Sequence, residues 1–202
     1  PAQTEQQIEK FKHWRDLFAK GNHRPLYHAA ATGGTLLFPH AHFDMVRVGI
    51  GLYGLWPSLE TQKARERDLV LSPALVWKTV VSEIKDLPAG ARVGYDGSEE
   101  VKRPTRLAIC PIGYWHGFSR KLSGIGEVLV AGRRAKVIGH VSMDMIAVDV
   151  TDIPAATVLA EVVLIGRQGN QEISAYDMAA WDDTSWYETV TRLNPLIKRI
   201  YT

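Results

Sequence analysis

The hydrophobic period of this chain changes once, and the change limits what it can fold into. As far as about residue 56, apolar residues recur at helical spacing or in short unbroken runs. A polar, charged stretch at 57–68 follows, and beyond it apolar and polar residues alternate in many short segments. Helical spacing with unbroken runs is the pattern of an α/β unit around a buried parallel sheet, whereas short alternating segments mark a mostly β domain. One uniform architecture cannot satisfy both patterns.

In the first part, Ile8, Phe11, Trp14, Leu17 and Phe18 predict an amphipathic helix of about four turns, with Thr4 as its cap, Gln7 three residues on, and Lys20-Gly21 as its stop. The runs at 26–31 and 43–50 predict buried strands. Between them, Thr32-Gly33-Gly34 predicts a small-residue turn leading to a short helix that ends before Pro39. Backbone N–H groups at such a turn can face an anion, although a plain turn needs the same glycines. Arg47 stands inside the second run, where a guanidinium is costly without a partner. The partner is either a neighbouring acid such as Asp44, or a site at the strand's end beside Gly49-Ile50-Gly51; the residues leave both open. About 50 residues of this kind are too few for a whole sheet fold. The chain also opens on Pro1, not Met, and a fragment or processed product is expected.

In the second part, Leu75, Trp77, Thr79 and Val81 alternate, and further strands are predicted at 106–112, 127–130, 135–141, 145–150 and 158–165. Ala131-Gly132-Arg133-Arg134 predicts a turn, and Gly166-Arg167-Gln168-Gly169-Asn170 a hairpin. Short helices are predicted at 175–181 and from Ser185, the latter stopped by Asn194-Pro195. The expected organisation is an α/β portion at 1–56, a linker at 57–69 and a mostly β domain at 70–202.

Composition narrows the function classes. With Lys+Arg 24 against Asp+Glu 22 the charge is balanced, which argues against a nucleic-acid footprint. No apolar run approaches the ~20 residues that span a bilayer. Cys110 is the single cysteine, so no intramolecular disulfide is available and a reducing cytoplasm is the expected compartment.

Chemistry concentrates at 93–117, where Tyr95 and Tyr114 each follow a glycine and can be presented at a bend. A phenol ionises near ~10 and serves as a base only where neighbours favour its phenolate. The alternative is a pair of rim tyrosines with buried rings and wet hydroxyls.

Taken together, several stretches resemble the alanine racemase family. They are His42-Phe43-Asp44-Met45-Val46-Arg47-Val48-Gly49-Ile50 with Leu52-Tyr53-Gly54, Val93-Gly94-Tyr95, Ile112-Gly113-Tyr114, Ser142-Met143-Asp144-Met145 and Leu164-Ile165-Gly166-Arg167-Gln168-Gly169. Tyr187-Glu188 and Arg199-Ile200-Tyr201 fit as well. The resemblance covers the second half of the family's length. It implies the end of a (β/α)8 barrel, an α/β remnant, followed by the family's mostly β C-terminal domain. It further implies a pyridoxal 5'-phosphate enzyme that interconverts L- and D-alanine for peptidoglycan, working as a homodimer with the site between subunits.

By position, Tyr95 resembles the catalytic tyrosine that takes the proton of L-alanine. Arg47 resembles the arginine at the cofactor's pyridine nitrogen; because Arg only donates, that nitrogen would stay unprotonated and the ring a weaker electron sink. Thr32, Gly49 and Ile50 resemble the phosphate-holding groups. Met143 resembles the residue whose N–H receives the substrate carboxylate, with Tyr114 and Asp144 at the site entrance.

The sequence also departs from the family. The Schiff-base lysine and the histidine stacked on the cofactor belong to a barrel half that this sequence does not match, so residues 1–202 alone are expected to be inactive. The family's Asn-Ser pair is Ala31-Thr32 here, Gly-Tyr-Ala-Asp-Gly is Gly113-Tyr114-Trp115-His116-Gly117, Ser142 replaces a cysteine, and Pro195 falls about where a phosphate-binding tyrosine is usual. A non-catalytic dimerisation or binding module, and a racemase for serine or a basic amino acid, are the competing expectations.

Overall fold

The structure, a computed structural model, describes residues 2–21 and 25–201. It divides into two compact units, Pro1–Ala74 and Leu75–Thr202.

The first unit opens with helix α1, Ala2–Phe18, which buries Ile8 and packs Phe11 against Phe43 with ring centroids 4.9 Å apart. Thr4 is not its cap: the helix begins at Ala2, leaving Thr4 and Glu5 inside the first turn, where an acid complements the helix dipole. Helix α2 spans Thr32–Leu37, so Gly33 and Gly34 lie within it and form no turn ahead of it. A reason is close approach, since a Cβ on Gly34 would come within 3.2 Å of the Ala30 Cβ.

The strands expected at 26–31 and 43–50 are extended segments joined by a single parallel bridge, Ala31↔Arg47. Asp44 N–H donates to the Tyr27 carbonyl at 3.0 Å and Arg47 N–H to the Ala30 carbonyl at 2.8 Å. Phe43, at φ 48°, breaks the second segment at its start, and Gly49 at φ −112°, ψ −91° turns it into a 3-10 turn, Ile50–Tyr53. Gly54 ends that turn at φ 70°, and a Cβ there would sit 1.7 Å from the Ser72 carbonyl oxygen. The stretch expected as a linker carries helix α3, Leu59–Arg65, whose N-cap Ser58 accepts the Thr61 N–H. Arg65 ties α3 to α2 by donating to the Leu36 carbonyl at 2.7 Å.

The second unit is built on an antiparallel sheet. Its strands are β1 Trp77–Val80, β2 Glu83–Leu87, β3 Arg92–Val93, β4 Glu99–Glu100, β5 Thr105–Cys110, β6 Glu127–Val130, β7 Arg133–Ile138, β8 Ile146–Asp149, β9 Glu161–Gln168 and β10 Gln171–Ile173. The main sheet runs β1-β9-β6-β7-β8-β5-β2, with β10 folded back on β9 and β3 paired with β4 in a separate hairpin. The inner faces of β6, β7, β8 and β9 bury Val128, Val130, Val137, Val148 and Leu164 completely, together with Phe118 and Leu122 from the loops. Full burial of such side chains contributes roughly 1.5–3 kcal/mol each, the main source of this unit's stability. β2 was not anticipated. Its sequence, Glu83-Ile84-Lys85-Asp86-Leu87, is charged because it forms an end of the sheet, where charge discourages further pairing. Helices α4, Ala175–Trp181, and α5, Trp186–Thr191, follow, capped by Ser174 and Ser185.

Candidate functional site

In the first unit, local geometry gathers the residues expected to hold phosphate. Thr32 is buried at the start of α2, and its Oγ1 accepts the N–H of Gly49 at 3.0 Å and of Gly51 at 3.4 Å. A hydroxyl that accepts twice keeps its own proton to donate. A Cβ added at Gly49 would meet nothing within 4 Å, so the backbone here opens on free space beside this cluster. Gly51 has the opposite constraint, since its Cβ would press on the Thr32 methyl at 2.9 Å. Donors on both sides of Ile50 thus converge on one small hydroxyl.

Arg47 lies on the extended segment that leads into this turn. Its guanidinium is not paired with Asp44, whose carboxylate accepts the Tyr27 N–H at 2.9 Å. It donates instead to Nδ1 of His28 and, at 3.3 Å, to the carbonyl of Ala29. His28 escaped the sequence reading. It stands 19 residues from Arg47, and only the parallel alignment of the two extended segments would have put them side by side.

In the second unit, Gly113 brings two loops together. Its backbone is extended, and a Cβ there would lie 2.3 Å from the Ser142 carbonyl oxygen and 2.7 Å from Met143 C and Asp144 N. With glycine the two loops touch, and Tyr114 N–H donates to Ser142 O at 3.0 Å while Trp115 N–H donates to Met143 O at 2.9 Å. The 142–145 turn closes on itself by Ser142 N–H to Met145 O at 3.0 Å. The Met143 N–H is left without an acceptor among the described residues. His116 closes the 113–116 turn by accepting the Gly113 N–H at its Nδ1, 3.2 Å away.

Tyr95 starts a 3-10 turn between β3 and β4. The residue is 66% exposed and is no part of the buried core. Tyr114 and Met143 are also exposed, at 47% and 53%. Gly94, at φ 83°, precedes Tyr95 and lies against Gly139 and His140, so the Tyr95 turn is docked close to the segment entering the Met143 turn. The structure therefore joins Tyr114, Met143 and Asp144 through backbone contacts and places the Tyr95 turn beside the same loop. Cys110 plays no part here: it is fully buried, and burial pushes its thiol up to about 12.

Comparison with known proteins bears on what these groups belong to. Residues 74–201 match the family model for the alanine racemase C-terminal domain, and residues 1–57 match that for the alanine racemase N-terminal domain. The chain belongs to the alanine racemase family. The alanine racemase of Leptospira interrogans is 43% identical over 184 residues, covering 89% of this chain and 47% of its own length. That of Halothermothrix orenii is 41% identical over 203 residues, covering 98% of this chain and 52% of its own. Among solved structures, the Bacillus anthracis alanine racemase with bound L-Ala-P has a TM-score of 0.85 at 34% identity, covering 95% of this chain and 48% of that one. The Clostridium difficile 630 enzyme in complex with cycloserine has a TM-score of 0.89 at 28% identity, covering 99% of this chain and 52% of that one. The chain spans about half the length of the alanine racemases it matches. An α/β portion followed by a mostly β domain fits the fold of this family. No described helix is long and apolar enough to cross a membrane.

Proposed function

We propose that this chain supplies part of a pyridoxal 5'-phosphate-dependent alanine racemase, with the first unit holding the cofactor and the second supplying an acid/base and a carboxylate seat. The supporting observation is the 142–145 turn. Backbone pairing engages its neighbours but leaves the Met143 N–H without an acceptor among the described residues, beside an exposed Tyr114 and near the Tyr95 turn. An N–H in that position suits the carboxylate of a small amino acid.

In this reading Thr32, Gly49 and Ile50 hold the phosphate, as the open backbone at Gly49 and the spare hydroxyl proton of Thr32 allow. Arg47, oriented by His28 and the Ala29 carbonyl, donates to the pyridine nitrogen. When bound, the cofactor withdraws electrons from the substrate Cα and so acidifies its hydrogen. Tyr95 would take that proton from L-alanine on one face and, in the reverse direction, supply a proton on the same face. Met143 holds the substrate carboxylate, and Tyr114 and Asp144 line the entrance. Residues 1–56 act as barrel, 70–202 as the C-terminal domain, and the amine on the opposite face comes from a lysine outside residues 1–202. The substrate is alanine. The protein works as a cytoplasmic homodimer in which Tyr95 and Met143 serve a partner subunit, consistent with their exposed, largely apolar surface.

A chimera tests the proposal: this chain replaces the matching half of the Halothermothrix orenii relative. Cofactor absorbance and D-alanine formation from L-alanine are expected, and both should be absent from the chain alone. A folded chimera that binds cofactor without racemising alanine would favour a non-catalytic module or another amino acid, which serine and basic amino acids as substrates would distinguish.

A further inference from the structure

We infer that Glu99 is a positioning residue that sets the register between the Tyr95 turn and the Met143 turn; the inference rests on those two residues serving the site proposed above. The β3–β4 hairpin is short, with Val93 opposite Glu99 and Arg92 opposite Glu100, and Tyr95 rides in its connection. A hairpin of two-residue strands is too small to hold itself in place, so its position depends on what it is fastened to.

Two contacts fasten it to the segment that leaves β7. The first is backbone against backbone. A Cβ on Gly94 would lie 3.1 Å from His140 N, and one on Gly139 would lie 3.1 Å from Val93 O, so the two glycines face each other with no room for side chains. The second is directional. Glu99 Oε2 accepts the Gly139 N–H at 2.7 Å, from a carboxyl group that is only half-buried. A carboxylate acceptor makes a stronger and shorter bond than a neutral one, and it resists the sliding that two flat glycine backbones would permit.

Two residues further along, Ser123 Oγ accepts the Val141 N–H at 3.0 Å, and the chain then enters the closed 142–145 turn. The segment 139–141 is thus pinned at alternate N–H groups. Ser123 ties it to the loop before β6, while Glu99 ties it to the Tyr95 hairpin. Glu99 is the one side chain of the β3–β4 strands with a carboxylate on that segment among the described residues. Arg92 and Glu100 pair loosely with each other at 4.0 Å.

The consequence is a fixed distance from the phenol to the carboxylate seat. Misplacing a reacting group by about 1 Å costs on the order of 100-fold in rate. In the racemising chimera, Glu99→Ala is expected to lower kcat roughly 10- to 100-fold while KM for alanine changes much less, because the Met143 turn keeps its own hydrogen bonds. Glu99→Gln keeps an acceptor oxygen and is expected to restore most of kcat. A second readout is independent of activity: amide hydrogen exchange at Gly139 in this chain, slow in the native protein and in Glu99→Gln, and fast in Glu99→Ala. Unchanged Gly139 exchange in Glu99→Ala would overturn the contact itself. Fast exchange with undiminished kcat would overturn the positioning role while leaving the racemase reading intact. A chimera that never racemises alanine, with Gly139 exchange responding as described, would overturn that reading and with it the catalytic role of the contact, while the contact itself stood.

Discussion

Adding one methyl group at Gly113 should damage the second unit far more than the same change at a glycine in open space. Gly113 adopts φ −160°, ψ −161°, an extended conformation that alanine accepts without strain. The cost is therefore purely steric. The new Cβ would sit 2.3 Å from Ser142 O and 2.7 Å from Met143 C and Asp144 N, all backbone atoms that cannot swing aside. Ordinary contact requires a separation of the loops by about 1 Å, an overpacking cost of about 1–3 kcal/mol. That movement also stretches the Tyr114 N–H to Ser142 O and Trp115 N–H to Met143 O bonds, worth about 0.5–1.5 kcal/mol each. The sum is about 2–6 kcal/mol, a fall in Tm on the order of 10 °C. Gly90→Ala is the control. Gly90 has φ 84° but nothing within 4 Å of a Cβ, so it carries backbone strain of about 1–2 kcal/mol and no clash. Thermal unfolding by circular dichroism, with amide exchange at Tyr114 and Trp115, separates the two effects. If Gly113→Ala unfolds no earlier than Gly90→Ala and protects both amides as before, the glycine does not set the loop contact and the account of the site is wrong.

Other perturbations follow from the same geometry. Tyr95→Phe in the racemising chimera should cut conversion from L-alanine roughly 10²–10⁴-fold with cofactor binding unchanged, as for loss of a general base; equal loss of both would make Tyr95 structural. In the same chimera, His28→Ala should loosen Arg47 and weaken cofactor retention in a spectroscopic titration, whereas an unchanged affinity would leave the ring without an orienting role. Cys110 gives a pH signature. Burial raises its thiol from the ordinary 9.0 to about 12, so its contribution to stability is complete below about pH 9 and is lost as pH rises toward 12. The wild type should therefore lose about 1.4 kcal/mol per pH unit across that window relative to Cys110→Ala, measured by urea unfolding. Parallel curves for the two proteins would show that the thiol is not shielded.

Much of the second unit was legible because its strands are short, apolar-rich segments bounded by turn residues, alternating in burial as in Ile146–Asp149 or buried in a run as in Glu161–Gln168. Glu127–Val130 and Ala175–Trp181 fall where their patterns predict, and Ser185 caps α5 as its position suggests. The misses share a cause. β2 is charged because it ends the sheet, and β3 and β4 are too short to show any period. In the first unit, the apolar runs at 26–31 and 43–50 carry the composition of buried strands, but Phe43 at positive φ and the turn at Gly49 leave them one bridge. The candidate site residues rest on the resemblance, and Tyr95 in particular has no local signal beyond a preceding glycine. The contacts that orient them, His28 on Arg47 and His116 on Gly113, differ in reach. The second is three residues long and readable in principle; the first depends on distant segments meeting.

The strand order of the second unit also dictates when it can form. β1 finds its neighbour only in β9, with Val80 opposite Glu161, so the earliest strand to emerge from a ribosome waits for one of the last. β6 and β7, joined through Ala131-Gly132, can zip at once, and β8 and then β5 can be added to them. Until Glu161–Gln168 arrives, Trp77 and Val81 have no sheet to cover them. Such long-range closure slows folding and leaves sticky surface bare during translation, so this half of the molecule is where a nascent chain would lean hardest on chaperones.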